Sequence, residues 1–145
     1  MPWYDYSVTP RGPKPYVTVH LIHGNRRVNI VALIDSGADF SVVDASYADL
    51  LGLDRAEADS KDVTTAGGGL AKMLHWPKRN LEMQFGTDRF SFAGGFLVFP
   101  QGSDPVNLLG RGDFFLRYIV QFWESAELMN IDTSPDFPLP APKNA

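Results

Sequence analysis

One acid in this sequence stands where it can be aimed. Ala32-Leu33-Ile34 runs directly into Asp35-Ser36-Gly37, and Ala38-Asp39 follow. A strand fixes the direction of a carboxylate at its end, and a carboxylate so fixed can serve as a general base or acid. The tripeptide Asp-Ser/Thr-Gly arises by chance in roughly one chain in twenty of this length at average composition. Its bland reading is a turn acid capping the next loop. A second element, Leu108-Leu109-Gly110, comes late in the chain and is followed by Arg111. Alone it reads as core packing, and Asp39 and Arg111 read as two surface charges. The run Gly67-Gly68-Gly69 is a flexible tip, with no Gly-Lys-Ser/Thr after it to make a phosphate loop.

Other chemistries lack their residues. The chain has 145 residues and no cysteine, so thiol nucleophiles, disulfides and thiolate metal sites are excluded. No Gly-x-Ser-x-Gly elbow occurs. His20 and His23 lie three apart on an expected strand and face opposite sides, a poor arrangement for one metal, and His75 is isolated. Neither a metal nor an organic cofactor is expected. Arg111-Gly112-Asp113 spells an adhesion tripeptide but falls at an expected helix start. Net charge is −4, and the basic residues are scattered apart from Arg26-Arg27 and Lys78-Arg79, so nucleic acid is not an expected partner. The N-terminal residues have no basic start followed by an apolar run, and no segment is long enough to span a bilayer. A soluble, cytoplasmic protein without membrane contact is the expectation.

The elements that must position Asp35 are mostly strands. Val17, Val19 and Leu21 alternate with polar residues, Gly24 to Arg27 supply a turn, and Val28 to Ile34 return, which predicts a hairpin. Ser41-Val42-Val43 reads as a short strand, with Asp44 as N-cap of a short helix through Leu51 that stops at Gly52. Asp62–Ala66 and Leu70–His75 flank the glycines as a second hairpin. Leu81–Phe85, Phe90–Phe92 and Phe96–Phe99 add strands, Asp113–Arg117 a short helix, and Tyr118–Phe122 with Leu128–Ile131 a last hairpin. Residues 1–15 are rich in proline and aromatics and read as an arm. Residues 16–131 form the domain, and the proline-rich 132–145 a tail.

In this order, the Asp35 element, the glycine hairpin and Leu108–Arg111 resemble the retropepsin-like family of aspartic proteases, as a bacterial-type member, over about Val17 to Ile131. The resemblance implies an all-β, acid-protease closed barrel with a flap hairpin and one or two short helices. It implies that Asp35 is catalytic, that Ser36 braces two subunits across the dimer axis, and that Gly37 leaves room for substrate backbone. Ala38 and Asp39 continue the motif, and Asp39 pairs with Arg111. The flap is Thr64–Met73, with Ala66, Gly67, Gly68 and Gly69 at or near its tip. The ends are longer than those of viral enzymes, and Tyr118–Phe122 with Leu128–Ile131 are the segments available for pairing subunits.

Two carboxylates a few ångströms apart cannot both ionise cheaply, so such a pair shares a proton and works as base and acid together. The chain has one Asp-Ser/Thr-Gly, and its length leaves no room for two pepsin-like lobes. The second acid must then be Asp35 of another copy, in a C2 homodimer that cleaves an extended peptide or protein substrate. The rival is an inactive module of the same fold, used for dimerisation or peptide binding. A third reading, an unrelated small β-barrel with an interior ligand pocket, predicts a monomer.

Overall fold

Strict alternation builds the first long hairpin. In β4 (Tyr16–His23) Val17, Val19 and Leu21 face the core, and in β5 (Arg26–Ile34) Ile30, Ala32 and Ile34 do the same. Gly24 takes φ 59° at the turn, a conformation that suits a residue without Cβ. The computed structural model describes residues 3–65 and 68–133. Its remaining elements are β1 (Trp3–Asp5), β2 (Ser7–Thr9), β3 (Gly12–Lys14), β6 (Val42–Asp44), α1 (Ser46–Leu50), β7 (Asp59–Thr64) and β8 (Leu70–His75). After these come β9 (Glu82–Phe85), β10 (Asp88–Ser91), β11 (Gly95–Val98), β12 (Leu108–Leu109), α2 (Phe114–Arg117), β13 (Tyr118–Trp123) and β14 (Leu128–Thr133).

Nine strands form one sheet in the order β10-β9-β4-β5-β12-β6-β11-β8-β7. The expected closed barrel is found as a half-barrel. Its terminal strands, β10 and β7, do not pair with each other, and each pairs only with its hairpin partner. The core fills the concavity with Val19, Leu21, Ile30, Met83, Phe96 and Leu109, all fully buried or nearly so. Each such side chain contributes about 1.5–3 kcal/mol.

A second, three-stranded sheet, β1-β14-β13, brings the two ends of the domain together. Trp3–Asp5 pairs with Leu128–Asn130, and Tyr6 is buried in the main core with its hydroxyl on Glu124 at 2.5 Å. Residues of the proline-rich arm are thus packed within the domain. An aromatic cluster ties α2 to the sheets: Phe114 lies 4.7 Å from Tyr118 and 5.6 Å from Phe85 between ring centres.

One capping expectation is corrected. Asp44 does not cap α1; Ala45 occupies that position without a side-chain bond. Asp44 is still held in β6 opposite Leu97, and its carboxylate accepts instead from the Ser46 hydroxyl at 2.6 Å. The second cap is side-chain made, with Asp113 accepting from the Phe114 N–H at 2.8 Å. No helix among the described residues is long and apolar enough to cross a membrane.

Candidate active site

Asp35 sits just past β5, and its position follows from an unusual neighbour. β12 runs parallel to β5, with Leu108 beside Leu33 and Leu109 beside Ile34, while its other edge pairs antiparallel with β6. The Asp35 N–H donates to the Leu109 carbonyl at 2.9 Å, so the ladder continues to the acid itself. The chain then turns sharply, with the Ala38 N–H on the Asp35 carbonyl and the Gly37 N–H on the Asp35 Oδ1 at 2.9 Å. Asp35 as a residue is half-buried, and Ser36 beside it is exposed. An N–H donating to one oxygen leaves the other available to a reactant.

The two apolar-to-glycine elements interlock. Arg111 and Gly112 donate their N–H groups to the carbonyls of Ala38 and Asp39 at 2.9 and 2.6 Å, and the Arg111 guanidinium ion-pairs with Asp39. Gly110 is required by contact: a Cβ there would come within 2.5 Å of the Phe40 carbonyl and 2.8 Å of the Ala38 oxygen. Arg111 is thereby brought against the Asp35–Asp39 turn.

Beneath the turn lies a buried network that the sequence did not announce. The Ser41 hydroxyl, fully buried, donates to the Asp113 carboxylate and accepts from the Gly110 N–H at 3.0 Å. Asp113 is nearly buried too, and its Oδ2 finds no partner among the described residues. Asn107 stitches the same strands: its amide reaches the Val31 carbonyl at 3.2 Å and its Oδ1 takes the Asp44 N–H at 2.9 Å. The only sequence signal was Asp113 at a helix start. Nothing marked Ser41 or Asn107, because their partners lie far along the chain.

The hairpin β7–β8 carries Thr65, Gly68 and Gly69 at its end. Thr65 closes the tip by donating its N–H and hydroxyl to the Gly69 carbonyl at 2.8 and 3.1 Å, and Gly68 takes φ 82°. Ala66 and Gly67 lie outside the described residues. An apolar cleft of about 560 Å³ is lined by Val63 and Met73 of this hairpin and by Val42, Leu97, Phe99 and Leu108 among others. Its floor residue Leu108 is the cross-strand neighbour of Leu33, two residues before Asp35. Asp35 itself does not line this cleft; a carboxylate fixed in this way is suited to proton transfer.

A family profile described as aspartyl protease matches residues 17–112. Among solved structures, the chain is similar to a retropepsin-like aspartic protease from Rickettsia conorii. The two are 16% identical, the match covers 88% of each chain, and the TM-score is 0.51. No curated protein matches the sequence.

Proposed function

Because this chain belongs to the aspartyl protease family and has the retropepsin-like fold, we propose that it is an aspartic endopeptidase whose site is completed by a second copy of itself. In this reading the Asp35 carboxylates of two copies flank one water. One carboxylate removes a proton from the water as its oxygen attacks the scissile carbonyl, while the other, protonated, donates to the carbonyl oxygen. Return of a proton to the amide nitrogen then releases the amine, and the pair titrates as one coupled unit. The observation that carries the reading is the placement of Asp35, fixed by the Leu109 carbonyl on its backbone N–H and the Gly37 N–H on its side chain.

Several features support the remaining parts. The β7–β8 hairpin contributes Val63, Thr64, Thr65 and Met73 to the lining of the apolar cleft and would act as a flap over a peptide bound as an added strand. Ser36, exposed beside Asp35, would brace the partner. The terminal sheet exposes Trp123 next to Trp3, their rings 6.0 Å apart, and such a surface suits pairing of subunits. Work in the cytoplasm is part of the same proposal.

Cleavage of an unstructured protein across roughly pH 3.5 to 7.5, where a coupled carboxyl pair gives a bell-shaped profile, tests the reading with Asp35→Asn as control. Cleavage abolished by the substitution is the expected result. Undiminished cleavage by Asp35→Asn, or none by a confirmed dimer, would overturn it; the second outcome would favour a peptide-binding module.

A further inference from the structure

A second cleft, of about 480 Å³, adjoins the apolar one and shares Val42, Val63 and Met73 with it. Its other wall is polar, carrying Asp39, Lys61 and His75. The register of β7 and β8 accounts for this. Lys61 and Val63 lie two apart and so share a face, and Lys61 stands opposite Met73, itself two residues from His75. Gly95 on β11 leaves the space. A Cβ on Gly95 would fall 2.4 Å from the Met73 sulfur and 2.9 Å from His75 Cε1, so only glycine lets those two side chains lie across the strand.

The charges in this cleft do not cancel. The Asp39 carboxylate is held by the Arg111 guanidinium, which neutralises it. Lys72, the other lysine of the hairpin, is paired with Asp62 at 3.1 Å. Lys61 has no ion-pair partner among the described residues, and His75 has no hydrogen-bond partner among them. Asp59 shares the face of Lys61 and stands opposite His75 in the register, but it does not line the cleft and makes no ion pair with Lys61 or His75 among the described residues. An ammonium without an ion-pair partner among the described residues and an imidazole therefore stand at the end of an apolar run.

We propose that this second cleft is a specificity subsite for an acidic side chain, Asp or Glu, on a peptide whose neighbouring apolar residue fills the first cleft. The inference rests on the reading of the chain as a protein that binds extended peptides. In an extended peptide alternate side chains point the same way, so adjoining clefts on one side take residues two positions apart. Lys61 is the residue that selects.

The test is equilibrium binding of fluorescent decapeptides to the full chain carrying Asp35→Asn, which separates binding from turnover. Each peptide holds one large apolar residue, with Asp, Glu, Asn, Gln or Lys two positions to either side. On one side, the acids should bind about fivefold tighter than the amides, the scale of a partly exposed ion pair. Adding Lys61→Gln should erase that difference, and Lys61→Glu should turn it towards Lys, with urea midpoints unchanged because Lys61 is exposed. Equal binding of acids and amides, an acid preference that survives Lys61→Gln, or no binding by any peptide would each overturn the proposal. Cleavage of the same peptides by the unsubstituted chain separates the two readings. Cleavage indifferent to the acid would sink the subsite and leave the protease, whereas acid-selective binding without cleavage would do the reverse.

Discussion

Ser41→Ala is the sharpest test of how the candidate site is held. The hydroxyl is fully buried and serves two groups, the Gly110 N–H and the Asp113 carboxylate. Its removal strands the N–H in a place water does not reach, and each such buried group costs about 1–3 kcal/mol. Asp113 keeps its bond from the Phe114 N–H at 2.8 Å but loses its other donor, while its Oδ2 already has no partner among the described residues. Adding a similar, smaller amount for the carboxylate gives a loss of about 3 kcal/mol, a large part of the roughly 5–15 kcal/mol that holds a domain folded. With a urea slope of about 2 kcal/mol per molar, the midpoint should fall by about 1.5 M. A fall of less than about 0.3 M, which is below 1 kcal/mol on that slope, would refute the argument that these bonds hold the strands together. If Ser41 acts through Asp113, combining Ser41→Ala with Asp113→Asn should give less than the sum of the two losses.

The other predictions use the same denaturation assay unless stated. Gly110→Ala should destabilise by about 3 kcal/mol or more, since its Cβ meets backbone atoms of Phe40 and Ala38 that cannot step aside. Arg111→Ala should shift stability by less than about 1 kcal/mol, because both members of its pair with Asp39 are largely exposed. Burial, with the hydrogen bond to Glu124, pushes the Tyr6 phenol up to about 12, and Tyr118 is raised in the same direction chiefly by burial. The folded protein thus holds the neutral phenol better than the unfolded chain, whose tyrosines titrate near about 10. That stability is whole below pH about 10 and is lost as pH climbs towards about 12. In urea titrations at rising pH, Tyr6→Phe should lower stability at neutral pH yet fall less steeply above pH 10; an equally steep decline would contradict this.

Asp35 was legible because its signal is local: an apolar strand ending in Asp-Ser-Gly says both what the residue is and how it is presented. The two long hairpins were legible for the same reason, their alternation being visible within one window. Asp44 misled because a residue's capping role depends on where its strand ends, and β6 keeps Asp44 paired with Leu97. The half-barrel was not distinguishable from a closed one, since closure is a relation between β7 and β10 that alternation does not encode. Ser41, Asn107 and Gly95 were silent as well. Their importance comes from partners brought near by the tertiary fold, and a serine, an asparagine or a glycine in isolation reads as an ordinary loop or strand-end residue.

The parallel pairing of β5 with β12 has a consequence for the order in which this protein matures. Residues 33 and 34 emerge early in synthesis, but the strand that aligns them is residues 108 and 109, and the Ser41–Asp113 bond beneath spans 72 positions. Contacts so distant along the chain form late, after shorter loops have closed. A nascent chain stalled before Leu108 therefore carries Asp35 without the strand that orients it.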